Sequence, residues 1–235
     1  MRIKSLFLAI LLIFGMLLSF TSCGTADGGP REIPEEDILY IAIEDYGIVT
    51  VGLFAKKAPI TVANFKKLAS EGFYDGLTFH RVIESFMIQG GCPKGDGTGD
   101  AGEDIKGEFK SNGVKTRLKH VEGTISMARS GHPWEAYLEQ GYVDYYGQRV
   151  PLSREDFADY FNSASSQFFI VTETSENNAL SLDGNYAAFG RVLEGMDIVK
   201  AIAAVDTNES DKPLKTVTIA TITADRAAAE AALSR

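Results

Sequence analysis

The sequence predicts a mainly β domain carrying two helices, and three observations support that prediction. Short runs rich in Ile, Val, Thr, Tyr and Phe recur between Ile38 and Ile222, broken by Gly, Asp and Asn at hairpin-like spacing. Only residues 58–69 and 195–202 place apolar side chains at helical spacing with suitable ends. The composition, 45% apolar and 23% charged, is that of a globular chain able to bury a proper core. Two helices with about eight short strands suggest a closed antiparallel barrel.

The elements follow in order. Residues 38–43 and 48–54 are alternating, β-branched runs around Asp45-Tyr46-Gly47, hence a hairpin. In residues 58–69, Val62, Phe65, Leu68 and Ala69 form one apolar face; Pro59 and Thr61 suit the start and Gly72 the end. Residues 79–91 read as a half-buried strand, a turn near Ser85, and a second strand closing on Gly90-Gly91. That stretch sets Arg81 and Gln89 among Phe79, Phe86 and Met87, the composition of a mostly apolar pocket with a few placed polar groups. An edge strand whose arginine faces water fits the same spacing.

Residues 90–107 form a Gly- and Asp-rich loop. It contains Gly97-x-Gly99-x-x-Gly102, the letters of a dinucleotide fingerprint, but no convincing helix follows, and Asp96, Asp100 and Asp104 lack EF-hand spacing. Residues 195–202 read as the second helix and 216–222 as a closing strand, and the alanine-rich residues 225–235 as a frayed helical tail. His80 and His120 have no second ligand at metal-site spacing and read as structural, so no metal site is expected.

The start of the chain has a different character. Arg2 and Lys4 precede an apolar run over residues 6–18, then Ser19-Phe20-Thr21-Ser22-Cys23-Gly24. This is the layout of a secretory signal peptide, and the run is short of the roughly 20 apolar residues of a spanning helix. Small residues before a lone cysteine resemble the lipobox of bacterial lipoproteins, with Phe20 a departure from it. The resemblance implies a signal peptide over residues 1–22, lipid attached at Cys23, and a location in the bacterial cell envelope, periplasm-facing or surface-exposed. An ordinary signal peptide cut nearby, with Cys23 incidental, is the alternative. Without Arg2 and Lys4, 21 basic residues face 32 acidic ones, a net charge of −11. That acidity argues against nucleic acid and against electrostatic binding to anionic lipid. With Cys23 acylated only Cys92 remains, which leaves no intrachain disulfide. Residues 23–37, rich in Gly, Pro, Asp and Glu, read as a flexible tether to a domain over 38–224.

The run Phe79-His80-Arg81-Val82-Ile83-Glu84-Ser85-Phe86-Met87-Ile88-Gln89-Gly90-Gly91 resembles the signature of the cyclophilins, the cyclosporin-binding peptidyl-prolyl cis-trans isomerases. Three further segments resemble the same family in the same order: Gly123-Thr124-Ile125-Ser126-Met127-Ala128, Ser166-Gln167-Phe168-Phe169-Ile170, and Leu182-Asp183-Gly184-Asn185-Tyr186 through Phe189-Gly190. The resemblance implies a closed eight-stranded antiparallel barrel capped by two helices, with Arg81 as the catalytic donor. Phe86, Met87, Phe169 and Leu182 would cup the proline ring and Gln89 would bind the substrate backbone, with Ala128, Arg129, Gln167 and Tyr186 completing the binding site. Tyr186 stands where many members have histidine, and Ser181 where a tryptophan favours cyclosporin, which implies weak cyclosporin binding. Gly-Asp-Gly-Thr-Gly loops are common in bacterial members.

The departure from the family lies at about residues 131–164, where members usually have a short loop. Here the stretch carries Trp134, Tyr137, Tyr142, Tyr145, Tyr146, Phe157, Tyr160 and Phe161, with a capped helix start at Ser153-Arg154-Glu155-Asp156. So many aromatics either fold against the barrel, the reading favoured here, or form an adhesive surface near the pocket. Bond rotation needs no nucleophile, metal or cofactor, and none is expected. The expected partners are proline-containing, unfolded or partly folded exported polypeptides, with the membrane reached through Cys23. A non-catalytic peptide-binding or chaperone module, its groove blocked by the insertion, is the rival reading.

Overall fold

The computed structural model describes residues 25–234, so the expected signal peptide over residues 1–22 and the expected lipid attachment at Cys23 lie outside the described residues. In chain order the elements are β1 (Ile38–Ile43), β2 (Gly47–Leu53), α1 (Pro59–Ser70), β3 (Phe79–Ile83), β4 (Met87–Gly90), β5 (Thr124–Met127), β6 (Tyr142–Tyr145) and β7 (Gln148–Pro151). They continue with α2 (Ala158–Phe161), β8 (Phe168–Val171), α3 (Glu176–Leu182), β9 (Ala188–Glu194), α4 (Met196–Ala203), β10 (Ile219–Thr223) and α5 (Arg226–Ala232).

Eight of the strands form one antiparallel sheet in the order β10-β1-β2-β9-β5-β8-β4-β3. Its two edges approach each other: Thr78 bridges Thr218, and the Phe79 N–H donates to the Val217 carbonyl at 3.0 Å. The sheet is therefore a nearly closed barrel, and near-closure leaves little unpaired edge exposed. Alternation, reset in β3 by a bulge between Phe79 and Arg81, divides the side chains. Phe79, Val82, Ile88, Phe168 and Ile170 point into the core, whereas Arg81, Met87, Gln89 and Phe169 take the opposite face of the same strands. The two expected helices complete the interior. Val62, Phe65 and Leu68 of α1 and Val199 and Ile202 of α4 join the strand residues in one cluster.

Local chemistry explains the boundaries. The β3–β4 turn places Ser85 at φ 60°, and the β1–β2 turn places Asp45 at φ 64°, left-handed positions that short polar residues tolerate. Gly91 closes the signature run at φ +84°, where an added Cβ would lie 2.6 Å from the Ser166 carbonyl oxygen, so only glycine fits. The first turn of α1 has no side-chain cap from its own N-cap residue, Ala58. Instead the buried Glu108 carboxylate accepts from the Thr61 N–H at 2.8 Å, the Thr61 hydroxyl at 2.7 Å and the Ile60 N–H at 3.2 Å. A carboxylate there satisfies the open amides and opposes the positive end of the helix dipole.

Three expectations change. Residues 25–37 are packed along the barrel rather than forming a free tether. Asp27 is buried and pairs with Arg191 at 3.3 Å, its carbonyl accepts from the Lys119 N–H, and Ile33 packs on Phe54 and Leu118. The tail over 225–235 is not frayed through its described part. The Asp225 carboxylate caps α5, Ala229 is fully buried, and the Arg226 guanidinium lies over the Tyr40 ring. Finally, α3 adds a helix between β8 and β9, capped by the Ser175 hydroxyl accepting from the Asn178 N–H at 3.1 Å.

The aromatic insertion folds against the barrel. Phe157 and Phe161 are buried in the main core, and Phe161 meets Phe109 edge-on with ring centroids 5.4 Å apart. The Ser153 N–H and hydroxyl both donate to the Asp156 carboxylate, one half of a capping box, and the helix begins as a 3-10 turn, Glu155–Phe157, before α2. Strands β6 and β7 make a separate hairpin whose tip leaves Tyr146 exposed.

Candidate active site

The face of β3, β4 and β8 turned away from the core collects the pocket residues. Register sets Arg81 opposite Gln89, Met87 opposite Ile83 and Val171, and Gln89 opposite Phe169. Met87, Phe169, Val171 and Leu182 form a buried apolar cluster of their own, with Ile83, Phe86, Ala128 and Tyr186 packed around it. The Phe169 and Tyr186 rings meet edge-on at 5.8 Å. This is an apolar cup on the outside of the barrel wall. It brings together the expected Phe86, Met87, Ala128, Phe169, Leu182 and Tyr186.

The polar groups stand beside it. Arg81 remains 45% exposed, and its Nε donates to the Asp211 carboxylate at 3.2 Å. That contact leaves the two terminal nitrogens of the guanidinium for a ligand. The loop carrying Asp211 is in turn tied to β3, because the Val82 N–H donates to the Asp211 carbonyl at 2.8 Å. Replacing Asp211 with alanine removes an exposed pair worth about 0.2–1 kcal/mol. We expect kcat/KM for a prolyl peptide to fall by no more than about fivefold, with the pH profile unchanged.

Gln89 and Gln167 are coupled to the glycine-rich loop. Gln167 Nε2 donates to the carbonyls of Gly97 and Gly99 at 2.9 and 2.8 Å, while its Oε1 accepts from Gln89 Nε2 at 3.0 Å. The Gln89 carbonyl oxygen is thereby left as the acceptor for an incoming N–H. The loop's Gly97 and Gly99 carbonyls thus position a glutamine. With Ala128, Ser130 and Ser163 these residues line a polar recess of about 310 Å3.

Arg129 departs from expectation. Its side chain is only 2% exposed, so it does not present its charge at the groove edge. The guanidinium turns inward to a bidentate pair with Glu135 and to the Asn185 carbonyl at 2.9 Å. It also lies 5.1, 5.3 and 4.7 Å from the ring centroids of Phe109, Phe161 and Tyr186. With the Ser130 carbonyl accepting from its Nη1 at 2.8 Å, the charge is paired on every side that the apolar niche leaves open.

Beneath the cup runs a buried chain of hydrogen bonds. His120 stacks on Phe169, its Nε2 lies 3.0 Å from the Ser126 hydroxyl, and its Nδ1 lies 3.1 Å from Asp183. Lys119 reaches the other Asp183 oxygen at 2.9 Å. The order Ser–His–Asp has the connectivity of a hydrolytic triad, but Ser126 and His120 are buried under Phe169, away from any substrate. Its role is to support the cup. Burial raises the Asp183 carboxyl, but the His120 ring, the His120 backbone N–H and Lys119 outweigh it and hold the group at about 2, below its ordinary 3.8. A depressed carboxylate stabilises the fold above about pH 4, and the contribution fades as pH falls from about 4 towards 2. We expect Asp183→Asn to cost about 2 kcal/mol at pH 7. The gap between the urea midpoints of variant and wild type should shrink to about half at pH 3 and close towards pH 2; an equal gap at pH 7 and pH 3 would refute the assignment.

His80, adjacent to Arg81, is buried with neither ring nitrogen hydrogen-bonded to protein, and desolvation lowers its pKa. A neutral ring fits its buried place beside Gly97 of the glycine-rich loop. Trp134 packs on His132 and Tyr145, and Arg81 stays open to solvent.

Comparisons with known proteins bear on the family and the fold. The sequence model of the family described as cyclophilin type peptidyl-prolyl cis-trans isomerase matches residues 38–139 and 150–224, interrupted within the β6–β7 hairpin. Peptidyl-prolyl cis-trans isomerase B of Bacillus subtilis is 38% identical over 71% of this chain and 91% of its own length. A peptidyl-prolyl cis-trans isomerase of Synechococcus elongatus is 36% identical over 73% and 91%. Among solved structures, a cyclophilin type isomerase of Cryptosporidium parvum, crystallised in the presence of the dipeptide Ala-Pro, superposes with a TM-score of 0.59. It is 25% identical and covers 79% of this chain and 97% of that one.

Proposed function

This chain belongs to the cyclophilin-type peptidyl-prolyl cis-trans isomerases, and we propose that it isomerises Xaa–Pro bonds of incompletely folded exported polypeptides at the cup beside Arg81. The enzyme class follows from the family. The placement of the reaction rests on one observation: the apolar cup, Arg81 and Gln89 share one face of adjacent strands, opposite the core.

The barrier to the reaction, about 18–20 kcal/mol, arises from amide conjugation. Seating the proline ring against Phe86, Met87, Phe169 and Leu182 holds one end of the bond while the preceding carbonyl swings. Gln89 fixes the substrate backbone. A terminal N–H of Arg81 donated to the prolyl nitrogen favours its pyramidal, singly bonded form, which is the conformation of the twisted state. The guanidinium is always charged and its plane is steadied by Asp211, so little reorganisation is needed when the bond turns. The exposure of Arg81 argues against the rival module with a blocked groove.

The envelope assignment rests on the basic, apolar and small-residue pattern ending at Cys23. Its test is incorporation of labelled palmitate into the full chain expressed in a bacterium. Label and membrane fractionation should both be lost in Cys23→Ser, and a membrane-bound or labelled variant would overturn it. The exposed Ser181 supports weak cyclosporin binding, read as inhibition requiring far more drug than a tryptophan-bearing member. For the reaction itself, the detergent-solubilised protein should accelerate isomerisation of a short prolyl peptide, whose uncatalysed exchange takes tens to hundreds of seconds.

A further inference from the structure

The insertion and α3 face each other across a second depression, an open cleft of about 1240 Å3. One wall is the 3-10 segment Glu135–Gln140 with residues 152–155; the other is α3 with Lys110 and Ser111. Leu138 and Leu152 line the first wall, half-buried against the core, and Leu180 stands on the other with 73% of its surface exposed. The acidic Glu139, Glu155 and Glu176 and the basic Lys110 and Arg154 are mixed around them. With Asp183 paired to Lys119 and Glu135 to Arg129, the remaining charges nearly balance, so recognition by sign is weak, and the apolar side chains carry what selectivity the cleft has.

The cleft is continuous with the cup. Tyr186 belongs to both: it packs on Phe169 in the cup and lines the cleft. On α3, Ser181 lines the cleft while the next residue, Leu182, is buried in the cup. The far wall is fastened to that junction by Arg129, which pairs with Glu135 and lies over the Tyr186 ring.

We infer that this cleft binds an apolar stretch of the substrate chain flanking the isomerised proline, which makes the insertion a specificity-determining part of the enzyme. The inference rests on the cup being the proline site. A chain seated there can leave over Tyr186 into the cleft, and an unfolded polypeptide supplies the apolar flank that folded proteins bury.

The test uses the detergent-solubilised full chain and one Xaa-Pro core in three forms: a blocked tetrapeptide, the same core extended by a Leu- and Phe-containing flank on either side, and the core with Ser/Gly flanks. At least one apolar extension should raise kcat/KM about fivefold or more over the tetrapeptide, the gain expected from burying one leucine-sized group. Ser/Gly flanks should raise it less. Leu180→Asp, at a position exposed enough not to challenge folding, should return the ratio to near one and leave the tetrapeptide unchanged. Tyr146→Asp, on the exposed hairpin tip, should not alter the ratio. Equal kcat/KM for all peptides, or a gain abolished by Tyr146→Asp and kept in Leu180→Asp, overturns the proposal. If the tetrapeptide is not turned over at all, the proline-site reading fails. Calorimetric affinities then decide the cleft alone: tighter binding of the apolar-flanked peptide to wild type than to Leu180→Asp supports it, and equal binding overturns it.

Discussion

Replacing Arg81 with alanine is expected to lower kcat/KM for a short prolyl peptide by about 10²- to 10³-fold, the loss of one preorganised donor at the transition state. Stability should scarcely change. The guanidinium is half exposed and its ion pair with Asp211 is a surface one, so its removal costs at most about 1 kcal/mol. Arg81→Lys separates charge from geometry. An ammonium lacks the planar fork that engages Asp211 through Nε and keeps two further nitrogens for the substrate. Lysine should therefore recover only a small part of the rate. A loss below about threefold in a folded Arg81→Ala variant would place the chemistry elsewhere and leave the cup a binding surface.

How far this site is legible in the sequence depends on how local each interaction is. The strand–turn–strand around Ser85 is local, and period-two alternation already separates Val82 and Ile88 from Arg81, Met87 and Gln89; Phe79 joins the core side only through a bulge before Arg81, which alternation does not show. The cup joins β4, β8 and α3, so its assembly is invisible to spacing and comes from the resemblance of four segments in order. Interactions between distant residues escape both. Glu108 caps a helix 47 residues away, and Asp211 meets Arg81 across 130 residues; neither loop carries a pattern that announces a partner. Arg129 misleads for a different reason. A charged residue at a groove margin normally faces water, and only Phe109, Phe161 and Tyr186, converging from three segments, make an inward position favourable. The residues before Ile38 misled through composition: few apolar groups suggest a tether, yet one buried carboxylate, Asp27, and one isoleucine, Ile33, suffice to dock them.

Arg129 also marks where the largest stability effect is expected. Arg129→Ala removes a guanidinium with 2% exposure and leaves the Glu135 carboxylate, itself only 18% exposed, without its bidentate partner. Breaking such a pair from one side costs about 3–5 kcal/mol, because the remaining charge is neither solvated nor paired. For a domain of this size that lowers Tm by about 10 °C. The double variant Arg129→Ala/Glu135→Ala removes the stranded charge and should be more stable than Arg129→Ala alone, by a coupling that a thermodynamic cycle measures. Additive losses would show that packing on the rings, not the ion pair, holds the insertion. Activity should respond more weakly than stability: Arg129 touches Tyr186 but not the turning bond, so kcat/KM measured well below the lowered Tm should fall far less than in Arg81→Ala. If instead it falls as far, the inward guanidinium acts on the reaction through Tyr186, and the insertion governs turnover as well as the shape of the cleft.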